Sequence, residues 1–114
     1  MKIAFTATGT TLDSAMNARF GRTEYLLCYD TDTKELQGVN NGESVQAAHG
    51  AGPLAVQKLA ELKADVLVTG NGPGEKAGAL LRNLDIKVYG GAGSMRVEEA
   101  LAAFEQGALT EIAL

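Results

Sequence analysis

A mixed α/β domain built on one five-stranded sheet, with helices on both faces and the element order βββαβαβα, is the fold class this sequence predicts. Three observations predict it. The first forty residues carry strand-like runs without a helical period, whereas the residues after Pro53 alternate helical stripes with short apolar runs. Glycine clusters punctuate each change in the second half. A length of 114 residues supports one core, so residues 1–114 are expected to form a single domain.

The first strand is expected over Lys2 to Thr8, where Ile3, Phe5 and Ala7 alternate against Lys2, Ala4 and Thr6. Glu24 to Asp30 and Lys34 to Asn40 read as the second and third strands, and Thr31-Asp32-Thr33 between them is short enough for a hairpin. A first helix follows Gly50-Ala51-Gly52-Pro53, with Val56, Leu59, Ala60 and Leu62 at helical spacing and Pro53 tolerated in the first turn. Asp65 to Thr69 is a short apolar run suited to a strand covered on both faces, and Gly70-Asn71-Gly72-Pro73-Gly74 breaks it. The second helix is expected to turn Ala77, Leu80, Leu81 and Leu84 inward. Ile86 to Tyr89 reads as the fifth strand, ending in Gly90-Gly91-Ala92-Gly93. Ser94 is then expected to cap a third helix whose stripe is Val97, Leu101 and Phe104 and which Gly107 closes.

Three strands joined without helices are expected to be antiparallel, and two later strands separated by helices to be parallel. The strand order that follows is 3-2-1-4-5. By analogy this order matches the ribonuclease H-like architecture, and fold alone assigns no function.

Composition narrows the function classes. Hydrophobic residues make up 46% and charged residues 21%, and no apolar run approaches the ~20 residues of a membrane helix. The first residues lack the pattern of a secretory signal, and the single cysteine, Cys28, permits no internal disulfide, so a cytoplasmic location is expected. A formal net charge of -4 speaks against nucleic acid as a partner, which calls for a concentrated basic face.

In a sheet of this order, the loops beyond the first, fourth and fifth strands lie near one another beside a crevice. Here all three are rich in glycine or hydroxyl groups: Thr8-Gly9-Thr10-Thr11, Gly70 to Gly74, and Gly90 to Ser94. Their backbone N–H groups, with two helix N-termini behind them, suit an anionic ligand. Taken singly, each loop is more readily a tight turn, and it is the convergence of three that points to a site. The connection from Gly9 to Thr23 has no clear period and mixes Met16, Asn17, Arg19, Phe20, Gly21 and Arg22. Guanidinium groups suit a multiply charged anion and a thioether suits soft metals, while the plainer reading has Phe20 pinning the loop and both arginines solvated. His49 is the only histidine, open to metal ligation, to hydrogen bonding with an anion, or to a turn cap. Cys28 sits mid-strand, where plain packing is the first reading, and Met95 is either a soft contact or an ordinary methionine.

Catalytic motifs fail when tested. Glu75 stands where a dinucleotide fingerprint wants its third glycine, and no Gly-Lys-Ser/Thr closes any glycine run. The first strand holds no acidic residue for metal-ion nuclease chemistry, and no serine or cysteine has a paired base. The protein is not expected to be an enzyme.

Read in order, the motifs resemble the dinitrogenase iron-molybdenum cofactor biosynthesis family, and specifically its small stand-alone members. The resemblance rests on Asp13-Ser14 leading to Phe20-Gly21-Arg22 and Tyr25, on His49-Gly50-Ala51-Gly52-Pro53, and on Gly70-x-Gly72-Pro73. Ile86 to Tyr89 with Gly91-Ala92-Gly93 and Val97 to Ala100 complete it. It implies a ribonuclease H-like fold and the binding, carriage or assembly of a molybdenum-containing metal–sulfur cluster, with iron or copper as the second metal. Arg19 stands where many members carry a histidine. The residues so implied to hold the cluster are Thr8, Gly9, Met16, Asn17, Arg19, His49, Asn71, Gly72, Gly91, Ala92, Gly93 and Met95, with His49 as the candidate metal ligand. Binding through N–H groups and Arg19 favours a preassembled anionic cluster over a bare ion. The expected partners are the cluster and an acceptor or assembly protein, and the expected state is a monomer or weak homodimer. The competing reading is a metal-free interaction domain that uses its edge strand, Lys34 to Asn40, for a protein partner.

Overall fold

The computed structural model describes residues 1–42, 46 and 50–114. His49, the one histidine of the chain, lies outside the described residues. One six-stranded sheet carries the fold, with strands β1 (Lys2–Ala7), β2 (Tyr25–Asp30), β3 (Leu36–Asn40), β4 (Val66–Val68), β5 (Lys87–Gly90) and β6 (Thr110–Ile112). The helices are α1 (Ala51–Leu62), α2 (Glu75–Asn83) and α3 (Val97–Glu105). Strand order is β3-β2-β1-β4-β5-β6. The β1-β2 and β2-β3 pairs are antiparallel, and β1-β4 and β4-β5 are parallel, as expected.

The alternation in β1 becomes a division of the core. Ile3, Phe5 and Ala7 face one side with Leu27, Val66 and Val68, and there they meet Val97 and Ala100 of α3. Ala4 faces the other side with Leu26, Cys28 and Leu67, against Val56 and Leu59 of α1 and Leu81 of α2. Helices therefore cover both faces, and β1, the central strand of the mixed sheet, is fully buried from Ile3 to Ala7. Removing an aromatic side chain such as Phe5 from water contributes about 2–3 kcal/mol before entropy is counted.

Three expectations are corrected. The sheet has a sixth strand, β6, antiparallel to β5. Thr-Glu-Ile is too short and too polar to announce itself; it becomes a strand because β5 offers an open edge to pair with. Leu80 and Leu84 do not turn inward: they are 40% and 47% exposed. The buried face of α2 is instead Ala77, Gly78 and Leu81, because the C-terminal Leu114 and Pro73 pack on the Gly78 side. Ser94 does not cap α3. That helix begins at Val97, where the Glu99 side chain reaches back to accept the Arg96 N–H at 2.9 Å. Ser94 has Val97 three residues on, with no acceptor to offer, whereas Arg96 has Glu99. Gly107, at φ +73°, closes the end of α3 in the left-handed region as expected.

Candidate functional site

The loops beyond β1, β4 and β5 are knit into one platform. Asn71 N–H donates to the Ala18 carbonyl at 2.8 Å, and Gly91 N–H to the Gly70 carbonyl at 3.1 Å. Gly70, Gly93 and Ala18 touch so closely that a Cβ built on Gly70 falls 2.7 Å from the Cα atoms of both Ala18 and Gly93. Beneath them two fully buried hydroxyls lock the strand ends together: Thr6 and Thr69 are hydrogen-bonded at 2.9 Å, and Thr6 also donates to the Asn17 carbonyl at 2.5 Å. From there the order propagates outward. The Asn17 side chain accepts the Arg19 N–H at 2.9 Å and donates to Glu24 at 2.8 Å, which fixes the backbone on which the exposed Arg19 stands.

The Gly9–Thr23 connection is thus an ordered return rather than a free loop. Thr8 bonds through both its N–H and its hydroxyl to the Ala15 carbonyl, and single bridges join Ala7 to Met16 and Ala15 to Arg96. Met16 N–H donates to the Met95 carbonyl at 2.8 Å. The Met16 side chain lies in the core at 4% exposure, Ala92 is fully buried, and Met95 is partly buried against the same cluster. Gly9 packs over Ser14, one step behind the platform. Of the nominated residues, Asn17, Arg19, Asn71, Gly93 and Met95 meet at the platform, while Gly72 points away toward Ile112 of β6.

The N–H groups at the start of α3 are consumed by the returning loop: Val97 donates to Ser14 and Glu98 to Leu12 at 2.9 and 2.8 Å. Arg96 adds a 2.6 Å bond to the Asp13 carbonyl. The other two helices begin on glycines. Neither α1, whose N-cap is Gly50, nor α2, whose N-cap is Gly74, has a side-chain cap. Their starts lie side by side, with a Cβ on Gly52 falling 3.0 Å from the Ala77 Cβ. Between them is an open hollow of about 390 Å³ lined by Gly50 to Pro53 and Pro73 to Ala77. Gly21 packs directly on this place, its built Cβ 3.1 Å from the Gly52 nitrogen. The Phe-Gly-Arg, Gly-Ala-Gly-Pro and Gly-Pro-Gly motifs therefore converge. Gly50, Gly52, Pro73 and Gly74 are lining residues that sequence reasoning did not nominate, although the uncapped Gly-Pro starts of both helices were a usable signal.

A larger hollow, about 530 Å³, lies on the outer side of α2 against Ile112 to Leu114, away from the platform. Among the described residues, no group of three or more His, Cys, Asp or Glu side chains is placed to hold a metal ion. Cys28 is 5% exposed, and burial, reinforced by Asp30 and Asp65 against the opposing pull of Lys2, pushes its thiol above the ordinary range. No described helix is long and apolar enough to cross a membrane.

Fold and loops define a single-sheet α/β protein with a glycine-built platform beyond the ends of β1, β4 and β5. The sequence profile described as dinitrogenase iron-molybdenum cofactor matches residues 1–107, and the chain belongs to that family. Among solved structures, it is similar to the apo form of the orange protein from Desulfovibrio gigas: 38% identity, TM-score 0.93, covering 98% of this chain and 92% of that one. It is also similar to a putative NifB protein from Thermotoga, assigned to the DUF35 family: 35% identity, TM-score 0.83, covering 96% and 91%. No curated protein sequence matches it.

Proposed function

We propose that this chain, working as one unit over residues 1–114 in the cytoplasm, binds and carries an anionic molybdenum-containing metal–sulfur cluster and catalyses no turnover. Iron or copper is the second metal, and an acceptor or assembly protein receives the cargo. The observation that carries this reading is the convergence of three separated motifs on two adjacent helix starts that lack side-chain caps. Helix N-termini and N–H groups favour sulfide-rich anions, and the exposed guanidinium of Arg19, two residues before the Gly21 that packs on Gly52, offers charge-assisted donors. Family membership and the likeness to orange protein support the same cargo class. Buried thioether and thiol groups at Met16 and Cys28 support a seat made mainly of hydrogen bonds rather than of covalent ligands.

Metal-free protein is to be mixed anaerobically with tetrathiomolybdate and either copper or iron, freed of excess, and assayed by visible spectrum and elemental analysis. Stoichiometric molybdenum with new absorption bands is expected. Arg19→Glu should keep the fold and weaken retention by on the order of tenfold. Protein that retains no molybdenum with either second metal overturns the reading.

A further inference from the structure

The two outer strands of the sheet are unlike in a way that sorts them by purpose. Sheet edges expose unpaired N–H and C=O groups, and monomeric proteins blunt them with short strands, charges, prolines or bulges. β6 is blunted: it has three residues and an exposed Glu111 at its centre. β3 is not. Its sequence, Leu-Gln-Gly-Val-Asn, holds no charge and no proline, and its register with β2 runs unbroken from Tyr25–Asn40 to Tyr29–Leu36.

The hydrogen-bond phase of β3 is fixed by its two ends. Asp30 N–H donates to the Glu35 carbonyl at 3.0 Å, and Asn41 N–H to the Glu24 carbonyl at 2.9 Å. Because bonded and non-bonded positions alternate, residues 35, 37, 39 and 41 face β2 and the backbone groups of Leu36, Gly38 and Asn40 face outward. We propose that β3 is a self-complementary interface through which two copies of this chain join antiparallel, about a two-fold axis at Gly38, into one continuous sheet. This inference does not depend on the cargo.

Symmetry and phase agree at that register. A two-fold axis normal to the sheet sets Gly38 against Gly38 and Leu36 against Asn40, and all three are outward-facing positions, so each opposed pair exchanges two bonds. Electrostatics agree as well. The flanking Glu35 falls opposite Asn41, and Lys34 opposite Gly42, so no like charges meet. A two-fold axis at the central residue of β6 would set Glu111 against its own copy, a like-charge pairing that disfavours that edge. Gly38 brings no side chain to the axis; a Cβ there would meet Leu27 and Thr10 of its own chain at 3.2 and 3.4 Å.

The test uses the full metal-free chain, by sedimentation equilibrium and by amide hydrogen exchange, over about a hundredfold concentration range reaching the millimolar level. A reversible dimer is expected, with the Leu36, Gly38 and Asn40 amides gaining protection as concentration rises. Gly38→Pro removes the central donors while leaving the bonds of Gln37 and Val39 to β2, and should weaken association by on the order of tenfold. Gln37→Lys, an exposed position whose new charge lies diagonally across the axis from its copy, should weaken it comparably without disturbing the monomer. A chain that stays monomeric throughout, or a dimer in which these three amides exchange freely, overturns the proposal.

Discussion

At the scale of single residues, the platform is a problem of space. Ala18, Gly70 and Gly93 approach one another through backbone atoms, and nothing at the end of a flexible side chain can yield. Gly70→Ala is therefore expected to destabilise the fold by about 2 kcal/mol or more, read as a lowered urea midpoint. Gly72→Ala, whose nearest neighbours are the Ile112 methyl carbons at 3.9 and 4.0 Å, should stay within about 0.5 kcal/mol of the parent. The glycine clusters were legible in the sequence as turns; which glycine faces a backbone and which faces open space was not, because that depends on Ala18, some fifty residues away from Gly70 in the chain. Met16 is the sharper lesson. In a loop without periodicity its thioether reads as available, but its backbone bridges to Ala7 and Met95 and the side chain turns into the core.

At the scale of elements, strong periodicity predicted well and weak periodicity did not. β1 was readable from its period-two alternation, and β4 as a short run apolar on both faces. β6 and the buried face of α2 were not, since both follow from a tertiary pairing that three residues of mixed polarity cannot signal. The turn between β2 and β3 was readable, and its chemistry makes an expectation. The Asp30 carboxylate accepts N–H bonds from Asp32 and Thr33, which hold it below the ordinary carboxylate range. A lowered folded-state value stabilises the fold above the unfolded-state value, and that contribution is lost as pH falls through the folded one. Asp30→Asn should accordingly lose less stability than the parent between neutral pH and about pH 3, measured as the change in melting temperature.

At the scale of the whole molecule, the sheet is a mixed structure whose two halves have different debts to distance in the chain. The β1-β2-β3 half is a meander, while the β4-β5-β6 half is tied by helical crossovers and closed by a strand outside the 1–107 family match. Removing residues 110–114 would uncover Gly90, where Ile112 packs, and leave β5 as an edge. We expect a loss of about 2 kcal/mol in denaturant unfolding and more self-association, with the meander still formed. The order of synthesis gives the platform a further property. Ala18 emerges early, Gly70 much later and Gly93 later still, so a growing chain holds its first contact surface incomplete until just over four-fifths of it has been made. An arrested product that stops short of Gly93 would carry the strands of the meander without a closed platform over their ends.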